Sequence, residues 1–313
     1  MGSAIASLER FDPLAAAGAA PVAAGAGGLR YVLLDVFTDT PLEGNALAVF
    51  TGDASALAQE LMQRIARELN LSESVFLQQP AGDAHTRARI FTPAAELPFA
   101  GHPVLGTAAL LSAALALPRV TLETAAGEVA VSFQDVAGRA RFGTMQQPLP
   151  TWQPFERERE LLTALGLQRS GLPVQAYVNG PRHVYVELPD EDALAALVPD
   201  MAALARLGEV GVGCFALLEQ GRGAAGARVL SRNFAPGLGV PEDPATGSAA
   251  GPLAVHLARH GRVAFGERVE IRQGLQIGRP SLLIACAHGS REGLERVEVG
   301  GWATVVGIGE LHV

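Results

Sequence analysis

The chain has 313 residues, 49% of them hydrophobic and 18% charged, enough apolar side chain for two buried cores and too much for wholesale disorder. Its net charge of −8 and pI near 5.4 argue against the basic face of a nucleic-acid-binding protein. All 24 basic residues are arginine, so chemistries centred on a lysine (pyridoxal-phosphate and aldolase Schiff bases, P-loop phosphate binding) are excluded.

In chain order, residues 1–28 are rich in Ala and Gly and read as a flexible extension. No basic region precedes its apolar part, and Gly18, Pro21 and Gly25 interrupt it, which is a poor match to a secretory signal. No apolar run anywhere approaches the roughly 20 residues of a bilayer span, so no membrane association and a cytoplasmic location are expected. A strand is predicted over Tyr31–Phe37 and an amphipathic helix over Ser55–Glu68, then a hairpin of Ser74–Gln78 with Thr86–Phe91. Next comes a helix starting at Gly101-His102, with Pro103 in a first turn where its missing N–H costs nothing. Its stretch Val104–Leu115 is apolar all round, and such a helix has to be surrounded by other chain. Val- and Leu-rich strands fill 119–142. A second series follows: a strand at Gln175–Asn179, a helix at Asp190–Ala205, and a hairpin of Gly213–Glu219 with Ala227–Phe234. An apolar helix from Gly247-Ser248 and strands across Glu267–Val299 complete it.

The second series echoes the first. Arg89-Ile90-Phe91-Thr92-Pro93 followed by Pro98-Phe99-Ala100-Gly101-His102 matches Arg232-Asn233-Phe234-Ala235-Pro236 followed by Pro244-Ala245-Thr246-Gly247-Ser248. Upstream, Ala66-Arg67 and Phe76 match Ala205-Arg206 and Phe215 in the same order. Ordered matches of this kind point to an internal duplication. The predicted class is α+β: two lobes, each a strongly bent sheet wrapped round one helix, residues 29–148 with 300–313 forming the first and 149–299 the second. The last strand, Trp302–Leu311, is expected to return to the first lobe.

Several motifs lead away from function. Gly221-Arg222-Gly223-Ala224-Ala225-Gly226 satisfies a dinucleotide fingerprint literally, but a strand (Arg228-Val229-Leu230) follows where the fingerprint needs a helix. Ser248 lacks the flanking glycines of a nucleophile elbow and resembles a helix N-cap. His256 and His260 have i, i+4 spacing but no third ligand beside them, so solvated helix-end histidines are expected and no metal site is assigned. Cys214 and Cys286 sit in apolar runs and read as buried, reduced thiols.

Two helix starts remain, Gly101-His102 and Gly247-Ser248. A helix N-terminus presents unpaired N–H groups and the positive end of the dipole, so it suits a carboxylate. If the lobes face each other about a pseudo-twofold axis, both starts converge on one cleft. Glu73, at a turn into a strand, and Asp243, just before the second helix, are then candidates for proton work, against the plainer readings of a loop carboxylate and a turn residue.

Glu43-Gly44-Asn45-Ala46-Leu47-Ala48-Val49, Asn70-Leu71-Ser72-Glu73-Ser74, Arg89–Pro93 with Glu96–Pro103, and Glu242-Asp243-Pro244-Ala245-Thr246-Gly247-Ser248-Ala249 resemble signatures of the PhzF-like phenazine-biosynthesis family. So do Gln273-Gly274, Gly278-Arg279-Pro280-Ser281 and Gly300-Gly301, and the resemblance runs from about Tyr31 to Val313. It implies a diaminopimelate-epimerase-like fold with its active site in the cleft between the lobes, a homodimer, and no metal or organic cofactor. It also implies an isomerase resembling trans-2,3-dihydro-3-hydroxyanthranilate isomerase, acting on a small cyclic or amino-acid-like carboxylic acid. Glu73 would move the proton; His102, Asp243 and Ser248 would bind and orient the substrate, helped by the Gly101 and Gly247 amides. Epimerases of this architecture place a cysteine at each central helix start, where this chain has His102 and Ser248, so two-thiol racemisation is disfavoured. The alternatives are a non-catalytic small-molecule binding protein of the same fold and an amino-acid epimerase-like enzyme with a non-cysteine base.

Overall fold

The computed structural model describes residues 28–136, 141–219 and 226–313. The Ala/Gly-rich extension up to 27 and all but Gly226 of the glycine-rich stretch lie outside the described residues. The chain divides into two compact units, one of the residues up to Met145 together with Gly301–Val313, the other Gln146–Gly300.

In the first unit, β1 (Leu29–Val36) and β2 (Asn45–Phe50) lead to α1 (Gln59–Leu69). This helix is shorter than predicted, because the Asp53 carboxylate accepts from Ser55 N and caps a separate 3-10 turn over Ala54–Ala56. Met62, Ile65 and Ala66 form its buried stripe, and Asn70, in the left-handed conformation at φ 51°, ends it by donating its N–H to the Ala66 carbonyl. Then come β3 (Glu73–Gln78), β4 (Thr86–Phe91), the short β5 (Glu96–Leu97), α2 (Gly101–Leu115), β6 (Arg119–Thr124), β7 (Gly127–Gln134) and β8 (Phe142–Gln147). Every α2 residue from Gly101 to Ala108 is buried, and the helix packs against β1, β2, β3, β6 and β7. That is the curled sheet its uniformly apolar sequence demands. At Gly106 a Cβ would lie 2.7 Å from the Leu47 and Val36 side chains, so glycine is what lets the helix seat on β1 and β2.

The second unit opens with β9 (Thr151–Pro154) and α3 (Glu158–Ala164), then β10 (Gln175–Val178) and β11 (Arg182–Glu187). Where one helix over Asp190–Ala205 is predicted, there are two, α4 (Glu191–Ala195) and α5 (Met201–Ala205). Pro199 breaks the run, and Asp190 and Asp200 each cap a new start, accepting from Ala193 N at 2.8 Å and Ala203 N at 2.9 Å. Strands β12 (Gly211–Glu219), β13 (Ala227–Ala235) and β14 (Val240–Asp243), helix α6 (Gly247–Arg259), and strands β15 (Arg268–Gln273), β16 (Ser281–Gly289) and β17 (Leu294–Gly301) follow. Gly247 through Ala258 of α6 are all buried. The C-terminal β18 (Ala303–Leu311) belongs to the first unit and pairs antiparallel with β1.

The duplication extends to strand pairing. In the first unit β1–β2 is antiparallel, β2–β3 parallel, β3–β4 and β4–β5 antiparallel, β4–β6 parallel, and β6–β7 and β7–β8 antiparallel. The second unit repeats those seven relations in the same order from β10 to β17. The strand flanking β10 is β9, whereas β18 flanks β1 from the far end of the sequence. The repeated arginines do the same job twice. Arg89 grips Glu96 through Nε and Nη2 at 2.8 and 2.7 Å, and Arg232 grips Glu242 likewise at 2.9 and 2.8 Å. Each guanidinium also lies over the phenylalanine two residues on, at 5.2 and 5.0 Å. The architecture is thus the expected α+β, diaminopimelate-epimerase-like fold.

Candidate active site

In the first unit, Glu73 opens β3 three residues after the left-handed Asn70 that ends α1, and its side chain is 12% exposed. His102 is the second residue of α2 and is buried. Its Nδ1 lies 3.4 Å from Glu73 Oε2 and 3.2 Å from the amide nitrogen of Asn45, the buried first residue of β2. Burial pulls the His102 pKa down to about 3, so the ring is neutral and its 3.4 Å approach to Glu73 is not an ion pair. With its proton on Nδ1 the neutral ring can donate to the ionised Glu73 carboxylate or to the carbonyl oxygen of the protonated carboxyl; with Nδ1 bare it can accept from Asn45. One ring can therefore serve Glu73 in both of its protonation states. Nε2, fully enclosed, has no partner among the described residues. Gly101 starts the helix, and Ala100 before it makes no side-chain cap, so the first-turn amides keep their capacity to bind an anion.

In the second unit, Asp243 ends β14 and is nearly buried. Its Oδ2 accepts from Thr246 Oγ1 at 2.6 Å, and its carbonyl accepts from Gln273 Nε2 at 2.7 Å. Gln273 is itself held by Asn233, whose Nδ2 donates to Oε1 at 3.1 Å. Gly247 starts α6, and its carbonyl accepts from Gln147 Nε2 at 2.7 Å. Ser248 is not the N-cap: Thr246 holds that position, and its side chain makes no cap bond. The Ser248 hydroxyl turns instead to His183 Nε2, 3.0 Å away, while Asn179 Nδ2 donates to the Ser248 carbonyl at 3.0 Å.

Glu73 and His102 are thus brought together within one unit, and Asp243, Gly247 and Ser248 are gathered round the start of α6 in the other. The sequence reading missed Asn45 as a neighbour of His102, and Gln147, Asn179 and His183 as neighbours of Gly247 and Ser248. Asn45 and Gln273 stand in quoted motifs, but nothing in the spacing of His183 marks it. Other expectations are corrected. His256 is not solvated: it is fully buried, stacked on Tyr185, with Nδ1 3.1 Å from Tyr177 Oη, and burial lowers its pKa to about 3. Cys214 is buried, its thiol pushed well above the usual range by desolvation, but Cys286 is only half-buried. Both lie within strands, remote in sequence from either helix start, and both are free thiols. No cluster of three or more metal-ligating side chains occurs among the described residues.

Residues 34–309 match the family model of the phenazine biosynthesis-like proteins (PhzC-PhzF). The chain is 51% identical over 282 residues to trans-2,3-dihydro-3-hydroxyanthranilate isomerase from Pseudomonas fluorescens, an alignment covering 90% of this chain and 99% of that protein. Among solved structures it resembles a predicted epimerase from Pseudomonas aeruginosa, with 37% identity, a TM-score of 0.73 and coverage of 91% and 99% of the two chains. It also shares the fold of a PhzF-family phenazine biosynthesis protein from Bacillus anthracis, with a TM-score of 0.77 at 24% identity, covering 92% and 100%.

Proposed function

This chain belongs to the phenazine biosynthesis-like family and is an isomerase, and on that premise we propose that it isomerises trans-2,3-dihydro-3-hydroxyanthranilate by moving one proton, without a metal or organic cofactor. Glu73 is the base: it takes the proton from the ring carbon that bears the hydroxyl and returns it elsewhere on the conjugated system, and the resulting enol tautomerises to the ketone. The observation that carries this reading is Glu73 set 3.4 Å from a buried, neutral His102. That neighbour can hydrogen-bond the carboxylate before proton transfer and the carboxyl after it. The uncapped starts of α2 and α6 suit the substrate carboxylate. His102, Asp243 and Ser248, with the Gly101 and Gly247 amides, bind and orient the ring. That side chains of two units serve one substrate is part of the proposal, supported by the duplication that gives each unit a glycine-started central helix.

Glu73→Gln keeps size and hydrogen-bonding reach but cannot accept the proton. Turnover of trans-2,3-dihydro-3-hydroxyanthranilate should fall at least ~100-fold, the usual contribution of a positioned acid/base group. Deuterium incorporation from D2O should fall with it, while calorimetric binding is largely retained. Full activity in Glu73→Gln would remove Glu73 as the base. We also propose a cytoplasmic homodimer. Sedimentation at the 32.5 kDa of one chain would contradict the dimer, and loss of activity on exhaustive dialysis against chelator would contradict cofactor independence.

A further inference from the structure

We propose that His183 is a positioning residue: its Nε2–H donates to Ser248 Oγ, and this turns the serine's own proton outward as a hydrogen-bond donor to an anionic oxygen of the substrate. The inference rests on the reading of Ser248 as substrate-binding and adds what that reading leaves open, namely which partner Ser248 can recognise.

The argument follows the proton. His183 lies on β11 and Ser248 at the second position of α6, and the 3.0 Å contact between Nε2 and Oγ joins them across a buried surface. Burial lowers the His183 pKa to about 4, so the ring carries a single proton at neutral pH. The other ring nitrogen, Nδ1, is fully enclosed and has no partner among the described residues. It faces the Gly211 backbone so closely that a Cβ there would sit 2.6 Å away. A proton on Nδ1 would point at carbon, and a buried donor without an acceptor is the rarest kind of unsatisfied group. A proton on Nε2 meets Ser248 Oγ at hydrogen-bond length and leaves only a bare lone pair enclosed. The hydroxyl, now accepting from His183, can still rotate its own hydrogen to a ligand. It has no other partner among the described residues. A serine so arranged favours a carboxylate or another anionic oxygen over an ammonium, because its one proton is free to be donated while one of its two lone pairs is already engaged by His183.

Two measurements test this. The first is the 15N spectrum of histidine side chains in the wild-type protein, with the His183 resonances assigned by their loss in His183→Gln. The proposal requires Nε2 at the protonated, pyrrole-type shift and Nδ1 at the pyridine-type shift; the reverse pattern overturns it. The second is steady-state kinetics on trans-2,3-dihydro-3-hydroxyanthranilate for His183→Leu, His183→Gln, Ser248→Ala and the His183→Leu/Ser248→Ala double variant. Ser248→Ala should lower kcat/KM about tenfold or more, the scale of a hydrogen bond to a charged group. His183→Leu should lose about tenfold, and the double variant no more than Ser248→Ala alone, because both remove the same contact. His183→Gln, which keeps an N–H donor near the Nε2 position, should recover most of the loss. A merely structural role predicts neither that rescue nor the non-additivity. If Ser248→Ala has no effect, the substrate-binding reading of Ser248 fails. If Ser248→Ala is impaired but His183→Leu is not, or the two losses add, that reading stands and the role of His183 is refuted.

Discussion

Acidification should unfold the second unit more steeply than the first, because it buries more neutral histidine. His183 and His256 lie in the second unit with pKa values lowered to about 4 and about 3, and His102 lies in the first at about 3, all by desolvation. Partial burial lowers His260 in the second unit as well. A folded-state pKa below the unfolded value near 6.5 means that the unfolded chain binds the extra protons. The stabilisation is therefore complete above pH 6.5 and lost as pH falls toward 4. Two such histidines give a slope of roughly 2–3 kcal/mol per pH unit between pH 6 and 5, against about 1.4 kcal/mol for one. Between pH 6.5 and 5, above the range where ordinary carboxylates titrate, the second unit should lose about 3 kcal/mol, a sizeable share of a typical 5–15 kcal/mol. The chain contains two tryptophans, and the units hold one each: Trp152 in the second and Trp302 in the first. Urea unfolding of the Trp302→Phe and Trp152→Phe variants, followed by fluorescence, reads the units separately. With a urea slope near 2 kcal/mol per molar, the Trp152-reported midpoint should fall by about 1.5 M across that window and the Trp302-reported midpoint by about half as much. His256→Phe should roughly halve the first shift and leave the second unchanged. A flat profile from pH 6.5 to 5, or an unaltered slope in His256→Phe, would refute the reasoning.

The two copies of the arginine–glutamate grip should differ in weight. Arg232 and Glu242 side chains are 9% and 10% exposed, against 15% and 26% for Arg89 and Glu96. Glu242→Ala should therefore cost about 3 kcal/mol in chemical denaturation by stranding a buried guanidinium, and Glu96→Ala about 1 kcal/mol; equal losses would contradict this. Gly106→Ala forces a Cβ to within 2.7 Å of Leu47 and Val36 and should lower stability by about 1–3 kcal/mol, visible as a drop in thermal midpoint. Cys214→Ala should leave turnover within about twofold, and native Cys214 should resist alkylation until the protein is denatured, since its buried thiol stays protonated. Rapid labelling with loss of activity would reinstate a thiol mechanism.

Much of the architecture is legible in the residues because it depends on local pattern and repetition. The uniformly apolar runs that became α2 and α6 can only be enclosed helices, and Gly101-His102 and Gly247-Ser248 mark where they begin. The ordered repeat of Arg-x-Phe and Gly-bounded motifs announces the duplication that the seven matching strand pairings display. The helix predicted over Asp190–Ala205 fails for a reason also written locally, in Pro199 and the capping Asp200. What sequence could not supply is the company each polar group keeps. Asn45 reaches His102 across 57 positions and His183 reaches Ser248 across 65, distances over which no periodicity carries information. Nor could it supply the charge state of the histidines. Every histidine side chain starts from the same intrinsic affinity for a proton. Only tertiary burial, by stripping water from the ring, makes His102, His183 and His256 neutral and turns one into a neighbour for Glu73 and another into a guide for Ser248.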